Sequence, residues 1–221
     1  ADKQRDYEWH QARYLADLES PAAVGQRAGE RTVKRLNPSK APTGPMPVVF
    51  DSRVSASLIG HLLGAIGGSA IARKTSFVLG HEHKPLFGPG VTIRDDPHRV
   101  RGLRSRAFDG EGLPTTPRAI VDRGMLTGWL VESAAGRQLG LPPTGHASRG
   151  SSGPPGVSTS NLWMEAGTLS PDELISDIKD GIYVDELIGM GVNILTGDYS
   201  RGAGGIGIRN GKLDEPVTEA T

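Results

Sequence analysis

Four stretches carry side chains able to do chemistry. The first is His81-Glu82-His83-Lys84, with two histidines two residues apart. On a strand both would point the same way and share a zinc ion, with Glu82, His61, His98 or Asp95 as a third ligand. Spacing brings no more than two ligands together, and the HExxH pattern of zinc proteases is absent, so a surface loop is the plainer reading. The second and third are Asp95-Asp96-Pro97-His98 and Asp109-Gly110-Glu111-Gly112. Carboxylates buried side by side can pass protons to a substrate. The Pro and Gly within both stretches favour turns instead. The fourth runs from Thr196 to Gly205, where Asp198, Ser200 and Arg201 lead into glycines whose main-chain N–H groups suit an anion or a peptide backbone. It lacks the spacing of a phosphate-binding loop. No Ser-His-Asp set can be assembled from spacing alone.

The composition narrows the choice. The chain has 221 residues, enough for one large domain or two small ones. Aromatic residues make up only 5%, so the core must rest on Leu, Ile, Val and Ala, while 31 glycines predict many turns and close backbone approaches. Lys plus Arg and Asp plus Glu are both 25. A balanced chain has no general attraction to nucleic acid or anionic membrane. The basic run at 99–106 is the local exception and reads as a solvated strand or loop. With no cysteine, disulfides, thiol nucleophiles and Cys-ligated zinc are excluded within these residues, which fits a cytoplasmic protein. The first twenty residues have no signal-peptide character and begin in polar sequence, as a piece of a longer protein would.

These groups need elements to hold them. Ser20-Pro21 starts a helix that runs toward Asn37, with a Pro-rich connector after it over 38–47. Val48–Phe50 is a short strand, with Asp51 or Ser52 capping the next helix. Residues 54–72 contain no charged side chain except Arg at their flanks, and place Val54, Leu58, Ile59, Leu62, Leu63, Ile66, Ala70 and Ile71 at helical spacings. The stretch is long enough to span a membrane, but its many Gly and Ser residues and the polar remainder favour a core helix. Gly60, Gly64 and Gly68 fall four apart on it as a smooth stripe. Downstream, "VTIRD" is a strand, 118–133 a hairpin turning at Arg123-Gly124, 142–160 a long low-complexity loop, and "NLWMEAG" a strand. Ser170-Pro171 with Glu173 opens a helix over 170–181, and 191–217 reads as strands turning at Asn210-Gly211.

Several stretches together resemble the TldD/PmbA family, long labelled modulators of DNA gyrase and understood as peptide-processing metalloproteases. The likeness is to the PmbA, or TldE, branch. It is carried by "YEWHQARYLADLESPAAVG", "SLIGHLLGAIGGSAIARKTSF", "GHASRGSSGPPGVSTSNLWMEAG" and "GMGVNILTGDYSRGAGGIGIRNGKLDEPV". The resemblance implies that residues 1–47 are a helical lead-in and connector from a missing N-terminal domain, and 48–221 the central and C-terminal domain. The fold expected is α+β: a mostly antiparallel, barrel-like sheet around a central Gly-rich core helix, with flanking helices.

The resemblance also implies a pair of related subunits. The TldD type carries HExxxH on a helix, with the two histidines holding zinc and the Glu activating water. Matching the next segment through residues 73–76 sets Ile59 at the first His, Gly60 at the Glu and Gly64 at the second His. None of the three can ligate zinc or carry a proton. The chain is therefore expected to hold no cofactor of its own, with zinc in a TldD-type partner. It would help enclose an extended peptide taken as an added strand. Arg73, Lys74, Thr75, Ser76, Arg149, Ser151, Asp198, Ser200 and Arg201 are the residues expected to line that cleft. The partners expected are a TldD-type paralogous subunit and an extended peptide, with self-association of the chain when alone, no membrane, and nucleic acid disfavoured. Two alternatives stand beside this: a self-sufficient metallopeptidase using His81 and His83, and a regulator bound to gyrase or DNA.

Overall fold

The computed structural model describes residues 3–221. In chain order its elements are α1 (Pro21–Lys34), β1 (Ser39–Lys40), β2 (Val48–Phe50), α2 (Ser52–Ala65), α3 (Gly68–Ala72), β3 (Ile93–Asp95), β4 (Arg118–Asp122), β5 (Met125–Leu126), α4 (Ser133–Leu139), β6 (Ala147–Ser148), β7 (Gly156–Val157), β8 (Leu162–Met164), α5 (Pro171–Ser176), β9 (Asp180–Ile188), β10 (Gly202–Arg209) and β11 (Lys212–Ala220). They form two compact units. One comprises residues 1–58, 168–192 and 199–221, the other 59–167 and 193–198. Helix α2 contributes residues to both units.

The first unit is built on a sheet of order β1-β11-β10-β9-β2. Its long strands β9, β10 and β11 are antiparallel; the short edges β1 and β2 join in parallel. Asn210 and Gly211 turn β10 into β11 with φ of 47° and 77°, the left-handed pair a tight hairpin requires. Gly211 donates its amide to the Ile178 carbonyl at 2.9 Å, fixing the hairpin to the segment behind α5. Helix α5 opens as its sequence dictates: Ser170 accepts from Glu173 N, and the Glu173 carboxylate accepts from Ser170 N. Ser20 caps α1 in the same way by accepting from Ala23 N. Strand β9, which lies between β10 and β2, is not anticipated by the sequence patterns, and 191–201, expected as strand, is mostly turn and loop. Ile182, Val184 and Val217 make the small core, with Phe50, Val54 and Met46 against them.

The second unit holds the larger core, centred on Leu62, Ala65, Ile66, Val78, Ile93, Ile120, Leu126 and Leu130. Its sheet runs β5-β4-β3-β8, all antiparallel, and β6 and β7 pair separately. The hairpin at Arg123-Gly124 forms with φ of 44° and 80°, but its second arm is only two residues before the chain turns into α4. Sheets are mostly antiparallel, as expected. None among the described residues closes on itself, so the expected barrel is not found.

The single helix expected over 54–72 is broken into α2 and α3. Gly67 is extended, with φ −66° and ψ 131°, and the chain there runs beside Leu130 as an isolated parallel bridge. Leu130 N donates to Ile66 O at 3.0 Å and Gly68 N donates to Leu130 O at 2.7 Å. Only glycine permits the approach: a Cβ on Gly68 would stand 2.9 Å from Ala135 Cβ and 3.1 Å from the Leu130 carbonyl oxygen. Among the described residues, no helix is long and apolar enough to cross a membrane.

A contrast between two glycines tests this account. Gly68→Val is expected to lower unfolding stability by about 1–3 kcal/mol through overpacking. Gly60→Ala, where nothing lies within 4 Å of a new Cβ, is expected to be neutral or to raise stability by up to about 1 kcal/mol, because Ala is the better helix former. Urea unfolding of both variants reads the difference; equal effects would contradict it.

Candidate functional site

The three positions set against the zinc motif lie on helix α2, each in a different environment. Ile59 is half-buried against the core of the second unit. Gly60 is exposed with open space where a side chain would project. Gly64 is also exposed, but an added Cβ there would stand 3.1 Å from the Ile194 Cδ1. None of the three residues offers a side-chain donor atom. These positions do not fit a metal ion.

His81 and His83 do not fit one better. The stretch around them is a series of turns, not the strand that would have aligned them. His83 has a φ of 56° and a side chain 74% exposed, and His81 Nδ1 lies 3.3 Å from the Leu79 carbonyl oxygen. Among the described residues no group of three or more His, Asp or Glu side chains converges as metal ligands do.

The residues expected to line a peptide cleft divide by unit. Arg73, Lys74 and Thr75 are exposed just after α3, with Lys74 in the left-handed region at φ 58°. Ser76 is buried and donates its hydroxyl to the Ala65 carbonyl at 2.7 Å, tying the end of α2 to the segment after α3. That engagement removes Ser76 from any peptide. Arg149 and Ser151 are exposed in the glycine-rich loop between β6 and β7. Asp198, in the second unit, accepts from the Thr196 hydroxyl at 2.6 Å. Ser200 and Arg201 belong to the first unit.

Arg201 lines a cavity of about 480 Å³ in the first unit together with Arg5, Arg35, Arg53, Asp6 and Asp185. Its floor is a charge network. Asp6, almost fully buried, lies 3.3 Å from Arg35 Nε and 3.0 Å from an Arg53 nitrogen. Arg35 also holds Asp185 and Glu186, each at 2.8 Å. Tyr183 donates to Asp51 at 2.7 Å. Burial and that hydrogen bond push the Tyr183 hydroxyl up to about 12, while burial raises Asp185. A phenol held so high keeps its proton at neutral pH and serves Asp51 as a hydrogen-bond donor.

The acidic stretches resolve into structure of a kind spacing does not reveal. Asp109 Oδ1 accepts from Glu111 N and Leu113 N, and its Oδ2 accepts from Ala147 N at 3.0 Å. Glu111 receives Ser133 N and Oγ. Asp95 is the unforeseen one. It faces His146 Nε2 at 3.3 Å, accepts from Ser160 N and Oγ at 2.9 and 2.7 Å, and both partners are buried. His146 Nδ1 meets Thr144 Oγ1 at 3.0 Å. Hydroxyl, imidazole and carboxylate stand in the order of a nucleophilic relay. Yet Thr144 Oγ1 also accepts from Val131 N at 2.9 Å and lies 3.2 Å from Val131 O, so main chain occupies the approach a substrate would need. The set is a latch between β3 and the 144–160 segment. Asp95 and His146 are too far apart in the chain to give a local signal for it.

These two units of mixed helix and sheet belong to a peptidase family. Residues 43–221 match the PmbA/TldA metallopeptidase C-terminal domain, and the chain is a member of the PmbA/TldD family. It is 41% identical over 221 residues to metalloprotease PmbA of Escherichia coli O157:H7, covering 100% of this chain and 47% of that one. Identity is 28% over 199 residues to the TldD homologue of Haemophilus influenzae, covering 89% of this chain and 41% of that one. The chain spans about half the length of the curated relatives it matches. A crystal structure from Bacteroides thetaiotaomicron, described as of a modulator of DNA gyrase, superimposes with a TM-score of 0.85 at 33% identity, covering 94% of this chain and 45% of that one. TldE from Thermococcus kodakarensis shares the fold, with a TM-score of 0.77 at 22% identity over 89% of this chain and 45% of that one.

The latch predicts an acid-sensitive contribution to stability. Burial alone would raise the Asp95 carboxyl, but hydrogen bonds from His146 and Ser160 outweigh it and hold the group below the usual carboxylate range. A depressed pKa stabilises the fold fully above the unfolded value of about 3.9, and the contribution is lost as pH falls through the folded value. Asp95→Asn is therefore expected to destabilise by about 1–3 kcal/mol at neutral pH, with the gap to wild type narrowing below about pH 4. Thermal melts across that range check it; a constant gap would show that Asp95 ionisation contributes nothing.

Proposed function

We propose that the chain is the non-catalytic part of a TldD/PmbA-type metalloprotease that processes peptides or unfolded proteins in the cytoplasm, working beside a TldD-type subunit that holds the zinc. The observation that carries this reading is the helix α2, where Ile59, Gly60 and Gly64 stand at the positions the family resemblance gives to two zinc histidines and a water-activating Glu. Apolar and absent side chains there can neither bind the metal nor move a proton. Its relatives named metalloprotease supply the reaction class, and the TldE and TldD names among them support a two-subunit arrangement.

The chain's own contribution is to bind and enclose an extended peptide. Arg73, Lys74 and Thr75 at the end of α3, Arg149 and Ser151 on the glycine-rich loop, and Asp198, Ser200 and Arg201 beyond β9 supply donors and charges for a peptide backbone and its termini.

Elemental analysis of the purified chain, alone and after co-expression with a TldD-type protein, is the test. The expected result is no stoichiometric zinc and no peptide cleavage by the chain alone, with one zinc and cleavage in a complex that co-elutes. Stoichiometric zinc in the chain alone that is lost in His81→Ala would replace this reading with the self-sufficient metallopeptidase. Failure of the two chains to co-elute would remove the subunit role.

A further inference from the structure

The loop leading out of β3 is built to display arginines. Over residues 97–108 there is no carboxylate and there are four arginines, at 99, 101, 104 and 106. The backbone between them is held from inside. Asn161 Oδ1 accepts from Arg104 N at 3.1 Å, and its Nδ2 donates to Asp96 O at 2.7 Å and Ser105 Oγ at 2.9 Å. Ser105 Oγ in turn donates to Arg99 O at 2.6 Å. Gly102 is pressed against this scaffold: a Cβ there would lie 2.5 Å from Ser105 Oγ and 2.6 Å from Asn161 Oδ1. Arg101 sits at φ 58°, a left-handed conformation that costs a non-glycine residue about 1 kcal/mol. A merely solvated loop has no need of a half-buried amide scaffold or of that strain.

The side chains fall into two kinds. Arg106 turns inward and donates to Ser158 O at 2.7 Å. Arg99 lies over the Trp163 ring, 5.7 Å from its centroid, which fixes its guanidinium in place. Arg104 is exposed. Between them Val100 is 87% exposed and Leu103 43% exposed. The nearby Glu165 is paired with Arg94, so it does not neutralise the loop.

From this geometry we propose that loop 98–104 is a preformed docking site for an acidic polypeptide segment in which carboxylates alternate with apolar residues. Arg99 and Arg104 pair with the carboxylates, and Val100 and Leu103 meet the apolar side chains. Preorganisation keeps the entropy cost of binding low. A nucleic acid fits less well: the face of Trp163 that would stack a base carries Arg99, and the chain has no net positive charge. The proposal does not depend on the subunit reading above.

The test is fluorescence anisotropy on the whole chain with three labelled probes: poly-glutamate, a Glu-rich peptide with leucine at every third position, and oligodeoxythymidylate. The Glu/Leu peptide is expected to bind tightest, and to weaken as salt is raised. Arg99→Glu with Arg104→Glu is expected to weaken it about tenfold or more, while Arg137→Glu on α4 leaves it unchanged. Arg104→Glu alone keeps the Trp163 contact, so a loss of binding at an unchanged melting temperature separates docking from folding. Val100→Ser should reduce the advantage of the Glu/Leu peptide over poly-glutamate. No binding at low salt, equal affinity after charge reversal, or tighter binding of the oligonucleotide would each overturn the proposal.

Discussion

Two hydrogen bonds between residues 66–68 and Leu130 set the arrangement of the second unit. They force the apolar stretch that opens at Ser52 to stop being a helix at Ala65, run extended past a neighbouring segment, and begin again. The exchange is possible because Gly68 adds no side chain between two backbones in contact, while a Cβ on Gly67 would press on Val157. Leu62, Ala65 and Ile66 on one side, and Leu130, Val131 and Ala135 on the other, then share one core. A continuous helix would satisfy its own amides but leave Leu130 N and O to find other partners in a dry interior.

That constraint also explains what could be read in the sequence. Signals that act over a few residues are legible: Ser20 and Ser170 as caps, Glu173 closing the capping box, Asn210-Gly211 and Arg123-Gly124 as left-handed turns. Interactions between distant segments are not. The break at Gly67 depends on Leu130, and nothing in the spacing of apolar residues within 54–72 announces it. Strand β9 escapes notice because Asp185 and Glu186 interrupt its apolar alternation. Those two carboxylates are accommodated by Arg35, 150 and 151 positions away. The pairing of Asp95 with His146 is hidden for the same reason. Residue type alone suggests chemistry at Asp109 and Ser76, yet both prove structural: Asp109 closes a turn, and Ser76 ties down a helix end.

The family resemblance reaches further than the physical pattern because it draws on longer stretches at once. Residues 43–221 match the family's domain, and the stretch set against the TldD-type zinc helix is a helix here too. Ile59, Gly60 and Gly64 on it carry no side-chain donor atom. The two units retain dense polar scaffolding around Asp6, Arg35 and Arg53 in one, and around Asp95, Asp109 and Asn161 in the other. Scaffolding of that density costs desolvation and is restored by mutual hydrogen bonding. It fixes the positions of the surfaces and loops around it.

The unequal surroundings of Gly60 and Gly64 bear on protein engineering. A carboxylate introduced at 60 would meet open space, whereas a side chain introduced at 64 would need the Ile194 Cδ1 to yield by a few tenths of an ångström. An enlargement of residue 64 is therefore sensitive to what stands in the 193–198 segment, far away in sequence, and an enlargement of residue 60 is not. Trimming Ile194 is the natural companion change to the first and is irrelevant to the second.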